Sequence, residues 1–310
     1  MIVVLLALAM DLALGDPPNR WHPVAWVGAL LARGRTWLAG ASPVGLLLGG
    51  AALVVGVATL TGAVAHVLPR LLAPWPPLAI AVEAWLLACA FSVRGLFSAV
   101  RRVRAALARG DLVEARGRLG SDLVSRPTGM LDEGLVGSAA VESLAENLTD
   151  SVVAPLLFYA VGGLGAAWGY RVINTADAMV GYRDGELEYL GKAAARLDDA
   201  LNWVPARAAA LLVVAGAMLA GASPRHAWWT LRRHGSRTAS PNAGLTMAAM
   251  AGAIGVTLAK PGHYTLGAGP RPDAAAIDRA TRVAVAAVAL AATLVLGGLA
   301  GWAAGVQWRR

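Results

Sequence analysis

The chain has almost no cysteine, and the usual nucleotide and hydrolase motifs are missing from it. Cys89 is the only cysteine among 310 residues, so no intramolecular disulfide can form and no thiolate-rich metal site is expected. The sequence contains no Walker A motif, no Rossmann glycine fingerprint, no Gly-x-Ser-x-Gly elbow and no internal repeat. A nucleotide site in this chain is therefore of a non-standard kind.

Charge is scarce as well, because charged residues make up 15% of the chain and hydrophobic residues 57%. The 27 basic residues outnumber the 19 acidic ones and lie between apolar stretches, where the positive-inside rule explains them better than nucleic-acid binding does. This composition predicts an all-α, polytopic helical membrane protein of the inner or plasma membrane, with one integral-membrane domain over residues 1–310. We expect about five to seven membrane segments, some of which can be re-entrant.

The apolar stretches differ in how clearly they predict a membrane span. Residues 44–68, 78–96 and 280–304 are long enough to cross a hydrocarbon core of about 30 Å. Residues 1–15 are interpreted as a retained membrane segment because no cleavage site follows them. Residues 245–259 are too short for a comfortable span, so we expect them to pack within the protein.

Two further apolar stretches leave their path through the membrane open. Residues 152–173 carry glycines at their centre, which suits a full helix with close packing or a broken, re-entrant pair of half-helices, and we favour the second. Residues 204–222 can span the membrane or run along its interface. Between these apolar stretches and the first spans, the basic and polar residues 98–137 predict a helical cytoplasmic region.

Acidic residues gather directly after this polar region. Glu142, Glu146 and Asp150, the acidic ladder, recur at four-residue spacing, so a helix would align the three carboxylates along one side. Like charges on neighbouring turns repel one another, and a cation or a cationic substrate group between them would offset that repulsion. The alternative is a solvated acidic helix face, which the apolar run after Asp150 disfavours. The spacing therefore predicts one helical face directed into a polar cavity.

Polar residues cluster again between residues 174 and 207. Asn174 and Asp177 share a helical face at three-residue spacing, and Asp198 and Asp199 follow as an adjacent pair of carboxylates. Because charge otherwise avoids this chain, we expect both groups to approach the acidic ladder closely enough to share one metal or substrate. Residues 139–207 are thus the predicted active-site core.

Five motifs follow one another along the chain. They are Glu142-Ser-Leu-Ala-Glu-Asn-Leu-Thr-Asp150, Val153-Ala-Pro155, Asn174-Thr-Ala-Asp-Ala-Met-Val-Gly-Tyr182, Ala195-Arg-Leu-Asp-Asp199 and Ser240-Pro-Asn-Ala-Gly244. In this order they resemble the CobD/CbiB family, the integral-membrane adenosylcobinamide-phosphate synthases. The resemblance runs from Gly15 to about Tyr264 and is far more specific than any single motif.

The resemblance implies a role in cobalamin biosynthesis and a ligase reaction. Proteins of this family join adenosylcobyric acid to an aminopropanol phosphate through an amide bond, which gives adenosylcobinamide phosphate, and they use ATP and Mg²⁺. The implied partners are this corrinoid substrate, the amino alcohol in free or phosphorylated form, ATP, membrane lipid and other cobalamin-assembly enzymes, with no nucleic acid. Because the substrates are cytoplasmic, the active site is expected to face the cytoplasm.

This reaction needs a metal, a base and groups that hold anions, and the resemblance supplies candidates for each. The candidate catalytic residues are the carboxylates of Glu142, Glu146, Asp150, Asp177, Asp198 and Asp199, and Glu142, Glu146 and Asp150 are also the expected Mg²⁺ ligands. The candidate substrate-binding residues are Asn147, Asn174, Arg183, Arg196, Asn202, Arg207, Ser240, Asn242, His22 and Asp16. His22 can equally be a structural residue at the membrane interface.

Three positions depart from the usual family pattern. Ser151 stands where glycine is expected, and Pro127 stands where an acidic residue is common. Met247 replaces an expected glutamate, so if that glutamate is a ligand or a base, this protein is impaired or uses another acid. Two other classes of function stay open: a transporter, which charged residues within apolar stretches would suit, and a non-enzymatic membrane sensor of the AmpE-like kind.

Overall fold

The computed structural model describes residues 1–181 and 185–307, with 302–307 described by their backbone alone. Helices dominate, which confirms the all-α prediction, and one short β-hairpin is the exception. In chain order the elements are α1 (Ile2–Leu14), α2 (Pro23–Leu38), α3 (Pro43–Leu71), α4 (Pro76–Ala90), α5 (Val93–Ala108), α6 (Leu112–Asp122), α7 (Glu133–Leu148), α8 (Ala154–Val180), α9 (Leu187–Leu190), α10 (Lys192–Leu201), α11 (Trp203–Leu219), α12 (Pro224–His234), α13 (Ala243–Ile254), β1 (Thr257–Lys260), β2 (Tyr264–Gly267) and α14 (Ala274–Gln307).

The chain forms two compact units, each assembled from separated stretches. The first contains Met1–Ser92, Ala154–Asn202 and the end of the chain from Val295, and the second contains Val93–Val153 and Trp203–Leu294. The sequence predicted one domain over its whole length. The boundary at residue 153 divides residues 139–207 between the two units, and a single integral-membrane domain stays a prediction.

Helices α3 and α8 form the centre of the first unit, where α10 packs against both and α1 packs against α4. The start of α3 follows from its sequence, because Pro43 occupies the first turn and the Ser42 hydroxyl accepts a hydrogen bond from the Gly45 amide at 3.2 Å. Buried apolar residues of α3 such as Val54 and Ala65 face the rest of the unit. These contacts fix the positions of α8 and α10, which carry Asn174, Asp177, Asp198 and Asp199.

Helix α8 is broken at Gly163, whose φ of 68° lies in the left-handed region that glycine adopts without penalty. The backbone of residues 152–173 is thus interrupted at its centre, whereas a re-entrant path through the membrane stays a prediction. A π-helical turn, Thr149–Val153, joins α7 to α8. The break at Gly163 and the π-helical turn both lie within residues 139–207, the predicted active-site core.

In the second unit α13 packs against α7, α11 and α12, and β1 lies on α7. Every residue of α13 from Thr246 to Ile254 is buried, which confirms that this apolar stretch packs within the protein. The chain then leaves the helix at Gly255, and residues 257–259 enter the hairpin instead of extending an apolar segment. The antiparallel pairing of Lys260 with Tyr264 closes this hairpin.

Several helices are long and apolar enough to mark a membrane protein. Within the described residues they are Pro43–Leu71, Pro76–Ala108, Glu133–Val180 and Ala274–Gly301, with a fifth span if Lys192–Leu201 and Trp203–Leu219 are counted together. This count is at or just below the lower end of the predicted range. The predicted segment at residues 1–15 forms α1, whose 13 residues are too few to cross a hydrocarbon core of about 30 Å alone.

Candidate active site

The Glu142 carboxylate on α7 is held by three neighbouring side chains. Its Oε1 accepts a hydrogen bond from the Ser138 hydroxyl at 2.6 Å, and its Oε2 accepts one from the Tyr264 hydroxyl at 2.9 Å. The Arg126 guanidinium lies 3.5 Å from Oε2 as an ion-pair partner. Only 5% of Glu142 is exposed, so these contacts replace the water that a buried carboxylate loses.

The hairpin that carries Tyr264 is fixed on both of its strands. On β1, the Ala259 amide donates to the Ser138 hydroxyl at 2.7 Å, and on β2, the Gly267 amide donates to His234 Nδ1 at 2.9 Å. Burial raises the pKa of the Tyr264 phenol, and the charge of Glu142 raises it further. Tyr264 therefore stays protonated and acts as a donor to the carboxylate.

Of the other two carboxylates of the acidic ladder, Glu146 continues the α-helical register of Glu142 and Asp150 does not. Glu146 lies on the last turn of α7, whereas Asp150 lies in the π-helical turn, which has more residues per turn than an α-helix. Asn147 between them donates to the Ser143 carbonyl at 2.9 Å and accepts from the Ser151 hydroxyl at 3.0 Å. Ser151, which departs from the family pattern, thus takes part in a hydrogen bond of the site.

Mg²⁺ is the metal that the resemblance implied for this ladder. In the part of the chain that the structure describes, no group of three or more His, Cys, Asp or Glu side chains could hold a metal ion. Each Glu142 oxygen accepts one hydrogen bond and keeps a second lone pair. Mg²⁺ is usually held by one or two carboxylates plus substrate phosphates, and Glu142, Glu146 and Asp150 stay the predicted ligands.

Asp198 is the centre of a second polar cluster, which lies in the first unit. Its Oδ1 accepts from Asn174 Nδ2 at 3.2 Å and its Oδ2 accepts from Asn202 Nδ2 at 3.0 Å. The Tyr170 hydroxyl donates in turn to Asn202 Oδ1 at 3.0 Å. Because α8 supplies Tyr170 and Asn174 one turn apart, and α10 supplies Asp198, packing of these two helices assembles the cluster.

Next to Asp198 in sequence, Asp199 lines a small cavity of about 220 Å³ in the same unit. The cavity is lined by two basic side chains, two acidic side chains and three small residues: Lys192, Arg196, Glu188, Asp199, Gly181, Gly191 and Ala195. A Cβ on Gly191 would lie 1.7 Å from the Val180 carbonyl oxygen, so only glycine fits there. The wall of the cavity therefore depends on close backbone packing.

The predicted residues of the second unit outside the ladder also come together. Arg207 Nη1 lies 3.4 Å from Asn242 Oδ1 and donates to the Trp203 carbonyl at 2.7 Å, while the guanidinium stacks over the Trp203 ring. The Ser240 hydroxyl accepts a hydrogen bond from the backbone N–H of Asn242 at 3.3 Å. Arg207 is thus oriented by an aromatic ring and by an amide side chain.

Asp16 and His22 are neighbours at the start of the chain. His22 Nδ1 caps α2 by accepting from the Val24 amide at 3.2 Å, and Nε2 lies 3.6 Å from Asp16. Burial raises the pKa of the Asp16 carboxyl, but hydrogen bonds from His22 and Ser92 outweigh it and leave the pKa below its usual value. This geometry gives His22 a structural task, whereas contact with a substrate stays a prediction.

The structure brings the predicted residues together in sets. Glu142, Glu146, Asn147, Asp150, Arg207, Ser240 and Asn242 belong to the second unit, and Asp16, His22, Asn174, Asp177, Arg196, Asp198, Asp199 and Asn202 belong to the first. Arg183 lies outside the described residues. The Asn174–Asp177 and Asp198–Asp199 groups meet at the contact of Asn174 with Asp198. That they share a metal or substrate with the acidic ladder stays a prediction.

Several residues of these clusters were not predicted. Ser138 and Tyr170 each precede a predicted residue by four positions, so helical spacing could have identified them. Tyr264 and Arg126 approach Glu142 from distant parts of the chain, and no local pattern indicates either contact. Lys192 and Glu188 line the cavity beside Arg196 and were overlooked because they lie outside the five motifs.

Comparison with known proteins gives consistent matches over most of the chain. The family model described as CobD/Cbib protein matches residues 4–299. A probable cobalamin biosynthesis protein CobD from Methanothermobacter thermautotrophicus is 42% identical over 86% of this chain and 86% of its own. Cobalamin biosynthesis proteins CobD from Dehalococcoides mccartyi and Mycobacterium tuberculosis are each 41% identical, covering 88% and 94% of this chain and 88% and 95% of their own. No solved structure matches.

Proposed function

The chain belongs to the CobD/Cbib protein family, and from this premise we propose that it is a membrane enzyme of cobalamin biosynthesis. The proposed reaction is the ATP-dependent formation of an amide between the free propionate of adenosylcobyric acid and the amine of an aminopropanol phosphate. This makes the protein an acid–amine ligase, an adenosylcobinamide-phosphate synthase. Because ATP and the corrinoid are cytoplasmic, we place the active site on the cytoplasmic side of the cell membrane.

The observation that carries this proposal is the cavity lined by Lys192, Arg196, Glu188 and Asp199. An amino alcohol phosphate carries a phosphate at one end and an ammonium group at the other, and this cavity offers cations for the first and carboxylates for the second. Its volume of about 220 Å³ is below the roughly 300 Å³ at the lower end of common ligand pockets, so it suits a small substrate better than a corrinoid.

In this assignment Arg196 and Lys192 bind the phosphate and Asp199 faces the amine. One proton of the ammonium group passes to Asp199, which frees the lone pair of the nitrogen. The new bond forms between this nitrogen and the propionate carbonyl carbon, while the bond from that carbon to the activated oxygen breaks. Phosphate leaves with that oxygen and takes up the second proton of the nitrogen. The neighbouring Asp198 is held by Asn174 and Asn202, and this contact fixes the end of α10 and hence the position of Asp199.

A carboxylate does not react with an amine unless it is activated, and ATP supplies that activation when it binds. In the second unit Glu146 and Asp150 would hold the accompanying Mg²⁺ together with phosphate oxygens. Arg126 and Arg207 would bind the nucleotide phosphates, since Glu142 holds the first and the Trp203 ring with Asn242 orients the second. Glu142 is then a positioning residue for Arg126.

A growth assay tests the proposed function directly. A host that lacks its own enzyme of this kind is supplied with cobyric acid or with cobinamide as its sole corrinoid, and it expresses this chain. We expect growth on both, whereas Arg196→Gln and Asp199→Asn should support growth on cobinamide only. Arg33→Gln, a change of an exposed arginine outside the cavity, is the matched control and should grow on both. If the wild-type chain accumulates in the membrane and still fails on cobyric acid, the proposal is wrong.

A further inference from the structure

A second cavity with ionisable side chains in its wall lies away from these clusters, in the first unit. It has a volume of about 520 Å³ and lies between the turn joining α3 to α4 and the break in α8 at Gly163. Three ionisable side chains line it: His66 and Arg70 from the end of α3 and Glu83 from α4. The proposed amide-forming reaction uses none of them.

The charges in this cavity are not neutralised by one another. Among the residues that the structure describes, His66, Arg70 and Glu83 form no ion pair. Arg70 Nη1 donates to the His66 carbonyl at 2.5 Å, and Glu83 Oε1 accepts from the Tyr159 hydroxyl at 2.8 Å. The Arg70 guanidinium and the Glu83 carboxylate are thus each oriented by one contact with a neutral group, and both keep further hydrogen-bonding capacity.

The rim of the cavity is apolar and exposed. Leu71, Trp75, Leu78 and Val161 each adjoin a lining residue in sequence, and their exposed fractions run from 49% for Leu78 to 82% for Val161. The turn between α3 and α4 joins two candidate membrane spans, Pro43–Leu71 and Pro76–Ala108. It therefore lies where the chain leaves the apolar layer. A tryptophan at this level is typical of the membrane interface.

We propose that this cavity binds the headgroup of a phosphatidylethanolamine molecule. The lipid phosphate lies against Arg70 and His66, the primary ammonium donates to Glu83, and the acyl chains cover the exposed apolar rim. A headgroup with both charges matches a cavity with both charges, whereas a purely anionic headgroup leaves Glu83 without a partner. Phosphatidylcholine has the same net charge, but its quaternary ammonium cannot donate a hydrogen bond to Glu83.

Native mass spectrometry of the full-length protein with defined lipids tests this assignment. Phosphatidylethanolamine, phosphatidylcholine and phosphatidylglycerol with identical acyl chains are offered together, and the lipid retained on the protein is identified. We expect one phosphatidylethanolamine to be retained about tenfold better than either of the others, the ratio that a single charge-assisted hydrogen bond gives. Equal retention of the three lipids by the wild-type chain overturns the proposal without any variant.

Two variants locate the site, and a soluble competitor shows whether its ligand is a lipid headgroup or a free amino alcohol phosphate. Glu83→Gln and Arg70→Gln should each lower phosphatidylethanolamine retention about tenfold, while Arg33→Gln, an exposed arginine outside the cavity, should not. Unchanged retention in both cavity variants places the lipid elsewhere and contradicts the assignment.

Millimolar phosphoethanolamine should leave the lipid bound, because it lacks acyl chains. If it displaces the lipid, the cavity belongs to a free amino alcohol phosphate and the lipid assignment is wrong.

Discussion

The Tyr264 hydroxyl donates a hydrogen bond to Glu142 Oε2 at 2.9 Å, although the two residues are 122 positions apart in the chain. The contact joins the β-hairpin to the helix that carries the acidic ladder. Arg126 approaches the same oxygen at 3.5 Å, so the tyrosine and the arginine share one carboxylate. A tyrosine outside the five motifs thereby controls the orientation of a carboxylate within the first of them.

Replacing Tyr264 by Phe removes this donor and keeps the ring. Glu142 then holds Arg126 less well, and we expect kcat/KM for ATP to fall about tenfold to hundredfold, the range for one hydrogen bond to a charged group. The KM for the amino alcohol phosphate should stay unchanged, which a general loss of structure would not produce. Tyr189→Phe, at an exposed tyrosine, is the control. A wild-type value of kcat/KM in the Tyr264 variant would show that the contact has no role in the reaction.

The sequence predicted part of this arrangement because part of it is local. Helical spacing places Asn174 and Asp177 on one face of α8, and the glycines near residue 163 predict the break in that helix. The contact of Tyr264 with Glu142 depends on how a hairpin packs on α7, and no periodicity within either segment encodes it. The π-helical turn is equally hidden, because a single extra residue in a turn leaves the four-residue spacing of the acids unchanged.

Met247 shows how the fold gives meaning to one departure from the family pattern. Its sulfur lies 3.8 Å from the Tyr264 hydroxyl, so the position of the expected glutamate adjoins the Glu142 contact. In this chain the neighbour of Tyr264 on that side is uncharged, and Glu142 is the acid that accepts a hydrogen bond from the Tyr264 hydroxyl. The sequence could flag Met247 as unusual but could not identify its partner.

Replacing Glu146 by Gln keeps the volume of the side chain and removes one charge from the predicted Mg²⁺ site. Loss of such an electrostatic contribution costs about 3 kcal/mol in the transition state, or roughly a hundredfold in rate. The variant should accumulate normally in membranes, fail to support growth on cobyric acid and grow on cobinamide. Glu133→Gln, at an exposed acid in the first turn of the same helix, should grow on both. Growth of the Glu146 variant on cobyric acid at native expression would exclude Glu146 from the site.

His234 makes the anchoring of the hairpin dependent on pH. Its Nδ1 accepts from the Gly267 amide, and burial together with the charges of Arg237 and Arg233 lowers its pKa. Because the pKa of His234 is lower in the folded chain, the unfolded chain binds the proton more readily than the folded chain does. The stability that the neutral ring contributes is therefore present above the usual histidine pKa of 6.5 and is lost as the pH falls through the lower folded value.

We expect the apparent melting temperature to fall when the pH is lowered from about 7.5 to about 5, and to fall less in His234→Gln, whose amide oxygen accepts at every pH. The control is His263→Gln, a histidine exposed at the turn of the same hairpin, which should follow the wild-type curve. Identical curves for the wild-type and the His234 variant would contradict this role.

Gly191 is required by the close approach of two backbone segments. Because a Cβ there would lie 1.7 Å from the Val180 carbonyl oxygen, Gly191→Ala should destabilise the protein by at least about 3 kcal/mol and lower its amount in membranes. Gly169→Ala is the matched control, because a Cβ at that position of α8 meets open space. Alanine is more favourable than glycine inside a helix by about 1 kcal/mol, so this variant should not be destabilised. Equal accumulation of the two variants, measured by quantitative blotting, would show that the backbone contact is not maintained.

Amide formation by the purified protein tests the central claim most directly. The detergent-solubilised chain is mixed with adenosylcobyric acid, aminopropanol phosphate, ATP and Mg²⁺, and the corrinoid products are identified by mass spectrometry. The account predicts adenosylcobinamide phosphate in amounts equal to the ATP consumed, none without ATP, and none from Asp199→Asn. If the intact, monodisperse wild-type protein consumes no ATP and forms no amide under these conditions, the protein is not the ligase that this account describes.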